Sequence, residues 1–125
     1  ALRSDAARGE WRASGPFLTR HDVTHLVRDS RDGVLWAAAN PKRGAPAILR
    51  SADEGESWEK CGDLPACERV WQVRPGRVGE NGRVWAGIMP ATLVRSDDRG
   101  ATWQEVPGLT AHPTRPEWWP GGGGL

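Results

Sequence analysis

Short apolar stretches, separated by polar and turn-forming residues, run along most of the chain. Segments of four to seven β-prone residues, such as 24–27, 34–37 and 70–73, are divided by Gly- and Pro-containing turns at 41–44 and 79–82. Short runs bounded by Gly, Pro, Asn and Asp are typical of antiparallel strands. No segment has the ten or so residues of helical periodicity that a helix requires. The pattern therefore predicts an all-β chain.

An internal repeat organises these segments. Residues 48–58 match residues 93–103 in the pattern apolar-apolar-Arg-Ser-x-Asp-x-Gly-x-(Ser/Thr)-Trp. Upstream of it, residues 33–37 match 82–86, and residues 24–27 pair with 70–73. Self-similarity at a fixed spacing indicates a repeat architecture. Each unit is predicted to contain three short strands and a fourth strand after the tryptophan.

A third, incomplete copy precedes these two. Trp11, Trp58 and Trp103 are each followed six positions later by a large apolar residue. The chain is thus expected to begin near the last strand of an earlier unit, whose own turn between Ser4 and Trp11 is degenerate. We divide the chain into a degenerate leading segment 1–10, repeats over 11–110, and a Pro-, Gly- and Trp-rich loop 111–125 that leads into a further unit.

The repeated motif has the composition of a folded hairpin turn. Asp53 and Asp97 are expected to accept hydrogen bonds from backbone N–H groups two residues on, and the Ser hydroxyls to close the loop. Gly provides the positive φ, and the Trp packs beneath the turn. The turn residues are Ser51, Asp53, Gly55, Ser57 and Trp58 in the first copy, and Ser96, Asp97, Asp98, Gly100, Thr102 and Trp103 in the second. A calcium loop needs about six oxygen ligands, so we expect structural turns and no metal.

These residues resemble the Asp-box, or bacterial neuraminidase repeat, of sialidases, related glycoside hydrolases, sortilin-type receptors and photosystem assembly factors. The resemblance implies a β-propeller in which each repeat is one four-stranded blade. The expected fold is a partial β-propeller, with about two four-stranded antiparallel blades, Asp-box turns and a leading outer strand. Propellers close with about four to eight blades, so 125 residues are too few. Unpaired blade edges are expected to favour self-association.

The resemblance also places functional loops at the face opposite the boxes, here residues 19–22, 39–46, 64–69, 88–92 and 110–124. His21 and Asp22 are weak catalytic candidates, with a solvated loop histidine as the alternative. The candidate ligand-binding residues are His25, Arg69, Arg115, Glu117, Trp118 and Trp119. The two adjacent tryptophans are expected either to stack on sugar rings or to pack against a further blade.

The amino-acid composition and net charge limit the functions that this chain can be expected to have. Leu, Val, Ile and Phe are scarce, so the eight tryptophans are expected to build the core. A net charge of +1 provides no overall electrostatic attraction for nucleic acid. The sequence contains no run of 18 apolar residues, so no transmembrane segment is predicted. No cofactor is implied. The spacing of Cys61 and Cys67 matches neither a zinc site nor a redox motif. The sequence allows either a disulfide between them or two unpaired thiols. It therefore does not distinguish a cytoplasmic from a secreted location.

The sialidases that this chain resembles have a tyrosine nucleophile and an Arg-Ile-Pro sequence signature. This sequence has neither. We therefore expect a glycan- or protein-binding or scaffold module with no activity of its own. One alternative is a fragment of an exo-sialidase-like glycoside hydrolase whose catalytic residues lie mostly in absent blades. Another, from family analogy, is an assembly factor that docks on a membrane complex.

Overall fold

The computed structural model describes residues 2–118, and within them the all-β prediction is confirmed. In this part of the chain, ten strands form antiparallel sheets, none of which closes on itself. The strands are β1 (Leu2–Ser4), β2 (Trp11–Ala13), β3 (His21–Arg28), β4 (Leu35–Pro41), β5 (Ala47–Ser51), β6 (Glu59–Lys60), β7 (Arg69–Pro75), β8 (Val84–Met89), β9 (Thr92–Ser96) and β10 (Gln104–Glu105).

Each predicted repeat forms one four-stranded sheet. The first sheet has the order β3-β4-β5-β6 and the second the order β7-β8-β9-β10, so neighbouring strands follow one another in sequence. The fourth strand comes directly after the motif tryptophan in both sheets, as the sequence predicts, and is two residues long. Turns of two to several residues connect the strands, because antiparallel neighbours need no crossover.

The two sheets also share an irregularity on their first strand. The register shifts between Val23 and His25 in β3 and between Val70 and Gln72 in β7. This bulge makes Thr24 equivalent to Trp71, so the predicted pairing of 24–27 with 70–73 is one residue out of register. The sequence comparison matched the apolar Val27 with Val73, whereas Val27 corresponds to Arg74, since these two residues pair with the equivalent tryptophans Trp36 and Trp85.

The two sheets pack face to face, with opposite faces of the repeat in contact. Cross-strand partners share a face, so Trp36, Ala38 and Ile48 lie on one face of the first sheet, which we call its forward face, and Ala37, Ala39 and Leu49 on its rear face. The equivalent forward residues of the second sheet are Trp85, Gly87 and Leu93, and the rear residues are Ala86, Ile88 and Val94. The forward face of the first sheet packs on the rear face of the second, and these residues form the main core.

Polar side chains join the two sheets at both ends of this core. At one end, Arg31 pairs with the buried Asp29 (2.7 Å) and donates to the carbonyl oxygens of Glu80 and Arg83. At the other end, Asn40 accepts from the N–H of Val70 (2.8 Å) and donates to its carbonyl oxygen (2.9 Å). Because buried polar groups are costly when unpaired, these bonds fix how the sheets sit on each other.

Residues 2–13 contain two strands, where the sequence predicted one. β1 pairs with β2, and the turn between them is a diverged copy of the motif: Asp5 accepts from the N–H groups of Gly9 (2.7 Å) and Glu10 (3.1 Å). Trp11 Nε1 donates to the carbonyl three residues earlier, as Trp58 Nε1 does. The hairpin therefore corresponds to the third and fourth strands of a preceding repeat.

The chain departs from the all-β pattern after β10. A short helical turn, α1, spans Pro107–Thr110, and a 3-10 turn spans Arg115–Glu117. Pro107 lacks an N–H group and has a fixed φ, so it ends strand pairing and suits the first position of a helix. These two turns lie outside both four-stranded sheets.

Candidate functional site

The two motif turns, residues 51–58 and 96–103, are held by their own side chains; we call them the box turns. Ser51 Oγ accepts from the N–H of Gly55 (2.8 Å), and Ser96 Oγ accepts from that of Gly100 (2.7 Å). Gly55 and Gly100 have φ of 92° and 86°, as predicted. The box turns therefore close through the Ser and Gly positions.

The aspartate that completes the second box turn is Asp98 and not Asp97. Asp98 accepts from the N–H (2.8 Å) and hydroxyl (2.6 Å) of Thr102, as Asp53 accepts from Ser57. The acceptor thus bonds groups four residues on, where the sequence predicted two. Asp97 instead pairs with Arg83 (2.8 Å) and Arg95 (2.9 Å).

The turn bonds change the acidity of both motif aspartates. Hydrogen bonds from Ser57 lower the pKa of Asp53, and hydrogen bonds from Thr102 lower the pKa of Asp98 to about 2. Hydrogen bonds to a carboxylate favour its charged form. Within residues 2–118, no group of three or more His, Cys, Asp or Glu side chains is placed to hold a metal ion. Both motif carboxylates accept hydrogen bonds from within their own turns.

The register places the box turns and the candidate loops at opposite ends of the sheets. Ser51 and Ser96, which begin the box turns, pair with Leu35 and Val84 at one end. His21 pairs with Pro41 and Arg69 with Met89 at the other end. We call this second end the loop face; it carries the first residues of β3 and β7, the β4–β5 and β8–β9 turns, and the segment 110–118.

Asp22 and Arg69 meet on the loop face. They form an ion pair that bridges the first strands of the two sheets. The Arg69 guanidinium also lies 4.8 Å from the ring centre of Trp71, a cation–π contact. Beside them, Thr24 Oγ1 donates to the carbonyl oxygen of Val70 (2.7 Å). These residues form a polar seam between the sheets, in which the charge of Asp22 is neutralised by its partner.

The two histidines of β3 lie on different faces of the first sheet. His25 pairs with Ala38, on the forward face with Asp22, whereas His21 pairs with Pro41. Successive strand residues alternate between faces, so His21 and Asp22 are directed apart, and no hydrogen bond or ion pair between them occurs in the part of the chain described. In both histidines Nδ1 is buried with no hydrogen-bond partner there. The structure does not assemble the predicted acid–base pair.

A cavity of about 420 Å³ opens on the loop face of the second sheet. It lies between the β8–β9 turn and the segment 110–118, and its lining includes Pro90, Ala91, His112, Arg115 and Trp118. Its volume lies within the roughly 300–1,000 Å³ of ligand cavities in proteins, and the cavity is widely open to solvent. The cavity therefore brings together Arg115 and Trp118, two of the predicted ligand-binding residues.

Hydrogen bonds fix the aromatic and cationic groups of this cavity. Arg115 Nε donates to the carbonyl oxygen of Ala91 (3.2 Å), and Nη2 donates to Thr92 Oγ1 (3.1 Å). Trp118 is 38 % exposed, and its Nε1 donates to Thr114 Oγ1 (3.0 Å). The ring centre of His112 lies 5.5 Å from that of Trp118. A ring that is held at its edge and still half open can stack on a ligand.

The remaining candidates are placed as follows. Glu117 is exposed in the 3-10 turn, and Trp119 lies outside the described residues. Asn40 and His112 lie in segments that were predicted for this face, but neither was among the candidate ligand-binding residues. Asn40 had a usable signal, because it is a polar residue that ends an alanine-rich buried strand. His112 had none, since the segment around it matches no other repeat.

The two cysteines are free thiols, which decides between the two alternatives left by the sequence. Burial raises the pKa of Cys61 to about 11 and also raises that of Cys67. A thiol with a raised pKa is a poor nucleophile at neutral pH, because the thiolate is the reactive form. Neither residue is suited to redox or covalent chemistry in this state.

Comparisons with known proteins find no family model and no curated protein that match this sequence. Among residues 2–118, no helix is long and apolar enough to cross a membrane.

Proposed function

We propose that this chain is part of a sialidase-like Asp-box β-propeller protein and serves as a glycan-binding module, with its ligand on the loop face. The cavity beside the β8–β9 turn carries the proposal. It combines a half-exposed tryptophan, an oriented arginine and a histidine at the sheet ends remote from the box turns. Apolar ring faces with a few placed polar groups are the usual composition of small-ligand sites.

The stacking of the sheets supports the propeller part of this proposal. The forward face of the first sheet packs on the rear face of the second, and the leading hairpin has the pairing of the third and fourth strands of a repeat. Structural turns at one end leave the other end free to vary. Loops at one end of a rigid β-scaffold commonly carry binding residues.

The side chains of the cavity are suited to a sugar. The Trp118 ring offers a flat apolar surface for the C–H face of a pyranose. Arg115 uses Nε and Nη2 to bond the β8–β9 turn and Thr92, and a guanidinium has five N–H donors. The remaining donors are available to ligand hydroxyls.

Binding is favoured over hydrolysis by two observations. The sequence has no tyrosine, and the Asp22 carboxylate is occupied by its ion pair with Arg69. We therefore expect no turnover of fluorogenic glycosides by this chain. Clear turnover would support the alternative of an exo-sialidase-like glycoside hydrolase.

A glycan array tests the binding proposal. We expect the chain to bind at least one glycan class and Trp118→Ala to weaken that binding about tenfold or more, because each 1.4 kcal/mol lost costs a factor of ten. Trp11→Ala is the matched control, since Trp11 is also exposed but lies on the leading hairpin. Equal binding by the wild type and Trp118→Ala would contradict the proposal, and protein capture without glycan binding would favour a scaffold.

A further inference from the structure

We propose that His112 is a positioning residue for the cavity on the loop face. In its neutral form it holds Thr114, and through Thr114 it holds the Trp118 ring on which a ligand stacks. The inference rests on the proposed function, because it concerns the same cavity. It adds a requirement for one protonation state of one side chain, so ligand binding weakens when the histidine gains a proton.

Two successive turns bring the three side chains together. The N–H of Arg115 donates to the carbonyl oxygen of His112 (3.0 Å). Farther on, the N–H of Trp118 donates to the carbonyl oxygen of Arg115 (3.1 Å). The backbone of this segment therefore places His112, Thr114 and Trp118 beside one another.

The three residues form one chain of hydrogen bonds. Trp118 Nε1 donates to Thr114 Oγ1 (3.0 Å), and Thr114 Oγ1 lies 2.9 Å from His112 Nδ1. The backbone N–H of Thr114 also donates to His112 Nδ1 (3.3 Å). An indole N–H and a backbone N–H can only donate, so the direction of these two bonds is fixed.

The fixed directions assign the protonation state of His112. Because Nδ1 accepts from the N–H of Thr114, it carries no proton, and the single ring proton of a neutral histidine is then on Nε2. The Thr114 hydroxyl donates its proton to Nδ1 and accepts from Trp118 Nε1. Only this tautomer of the neutral ring gives every donor in the chain of hydrogen bonds an acceptor.

A second ring proton breaks this arrangement. Both nitrogens of a protonated histidine are donors, so the Nδ1–H of His112 would point at the N–H of Thr114. The Thr114 hydroxyl can rotate to accept from Nδ1, but the backbone N–H cannot reverse. The ring must therefore turn away from Thr114, and the hydroxyl that holds Trp118 Nε1 loses its fixed partner.

The charged groups around His112 do not offset this loss. Among the residues described, the lining of the cavity has one cation besides the histidine, Arg115, and no carboxylate. Glu117 is exposed in the 3-10 turn, and α1 has no charged side chain. On β9, which packs on α1, Arg95 pairs with Asp97 (2.9 Å). The described lining thus offers no anion to a protonated ring.

The indole N–H resonance of Trp118 tests the proposal without any ligand. Histidine ordinarily titrates between pH 5 and 8, and over this range we expect the indole signal to follow the titration of His112 in the same spectra. His112→Asn is the matched variant, because an Asn side-chain oxygen can accept from the N–H two residues on and does not titrate. We expect no such shift in His112→Asn, whereas His21→Asn, the control, should keep the wild-type titration.

Binding of the best glycan from the array is the second readout. We expect the wild type to bind roughly three- to tenfold more weakly at the acidic end of this range, since the bond that holds Trp118 is weakened. His112→Asn should bind equally at both ends. Thr114→Val, which lacks the hydroxyl, should bind weakly at both. Near-UV dichroism checks that each variant is folded at each pH.

The two readouts separate this proposal from the proposed function. An indole signal that does not follow His112, or the same pH dependence in the wild type and His112→Asn, would overturn the positioning role even if glycans bind. An indole signal that follows His112 in a chain that binds no glycan would support the chain of hydrogen bonds and reject the proposed function instead.

Discussion

At the scale of single residues, the box turns depend on one aspartate each. Asp98 bonds Ser96 and Thr102, while its neighbour Asp97 bonds only arginines on the sheet surface. Surface ion pairs contribute little to stability, because water screens them and ordering long side chains costs entropy. The two adjacent carboxylates therefore differ in role.

We predict that Asp98→Ala lowers the melting temperature by several degrees and that Asp97→Ala, the matched control, changes it much less. The stabilisation from Asp98 is complete above its ordinary pKa of 3.8 and is lost as the pH falls towards its folded pKa of about 2, since a lowered pKa favours the folded state only while the group is charged. Thermal melts between pH 2 and 6 measure both effects. Equal losses for the two variants would show that Asp98 is not the turn acceptor.

The cysteines give a second test at this scale. With its pKa raised to about 11 by burial, Cys61 has little thiolate at pH 8. We predict that iodoacetamide modifies Cys61 more than tenfold more slowly in the folded chain than in urea, as followed by peptide mass spectrometry. Rapid labelling without unfolding would contradict the burial of this thiol.

At the scale of elements, the first sheet packs closely against the second box turn and leaves little space for a side chain at Gly100. A Cβ at Gly100 would lie 3.1 Å from the Trp36 ring and 3.0 Å from Cys61 Sγ. The equivalent Cβ at Gly55 would lie 3.6 Å from its nearest neighbours, Leu35 and Trp58, both within its own sheet. The two glycines have nearly the same φ. They therefore differ mainly in the distance to atoms of a neighbouring sheet, which are close to Gly100 only.

We predict that Gly55→Ala costs about 1–2 kcal/mol, because of its positive φ, and that Gly100→Ala costs about 1–3 kcal/mol more, because crowding adds to the same strain. Urea unfolding followed by tryptophan fluorescence measures the difference. Equal costs would mean that the Trp36 ring does not press on the box turn.

Most of the elements could be predicted from the sequence, because each has its own local signal. Gly33 and Gly82 preceded matching apolar strands, and the box motif fixed the turn and the strand after it. The bulges at Thr24 and Trp71 had no such signal, since neither position carries a Gly, a Pro or a motif residue. The first hairpin strand was missed because its turn carries Gly9 one position later than the other copies do.

The candidate site was harder to predict, because its residues come from separate segments. Asp22 and Arg69 were each identified, but their ion pair follows from the packing of β3 beside β7. The cavity depends on Arg115 bonding Ala91, which is 24 positions away. Contacts between loops leave no periodic pattern in a sequence, whereas strands and repeats do.

At the scale of the whole molecule, the box turns and the loop face lie at opposite ends of the sheets. The Ser, Asp and Gly bonds stabilise one end of the sheets, and the cavity and the Asp22–Arg69 seam occupy the other. We propose that ligands bind only at the loop face, whichever glycan is bound.

Chemical-shift mapping with the best glycan from the array tests this claim most directly. We expect amide shifts concentrated at residues 88–92 and 110–118, with the indole N–H of Trp118 moving most, and little change at residues 51–58 and 96–103. Shifts centred on the box turns, or no binding to any glycan on the array, would contradict the account.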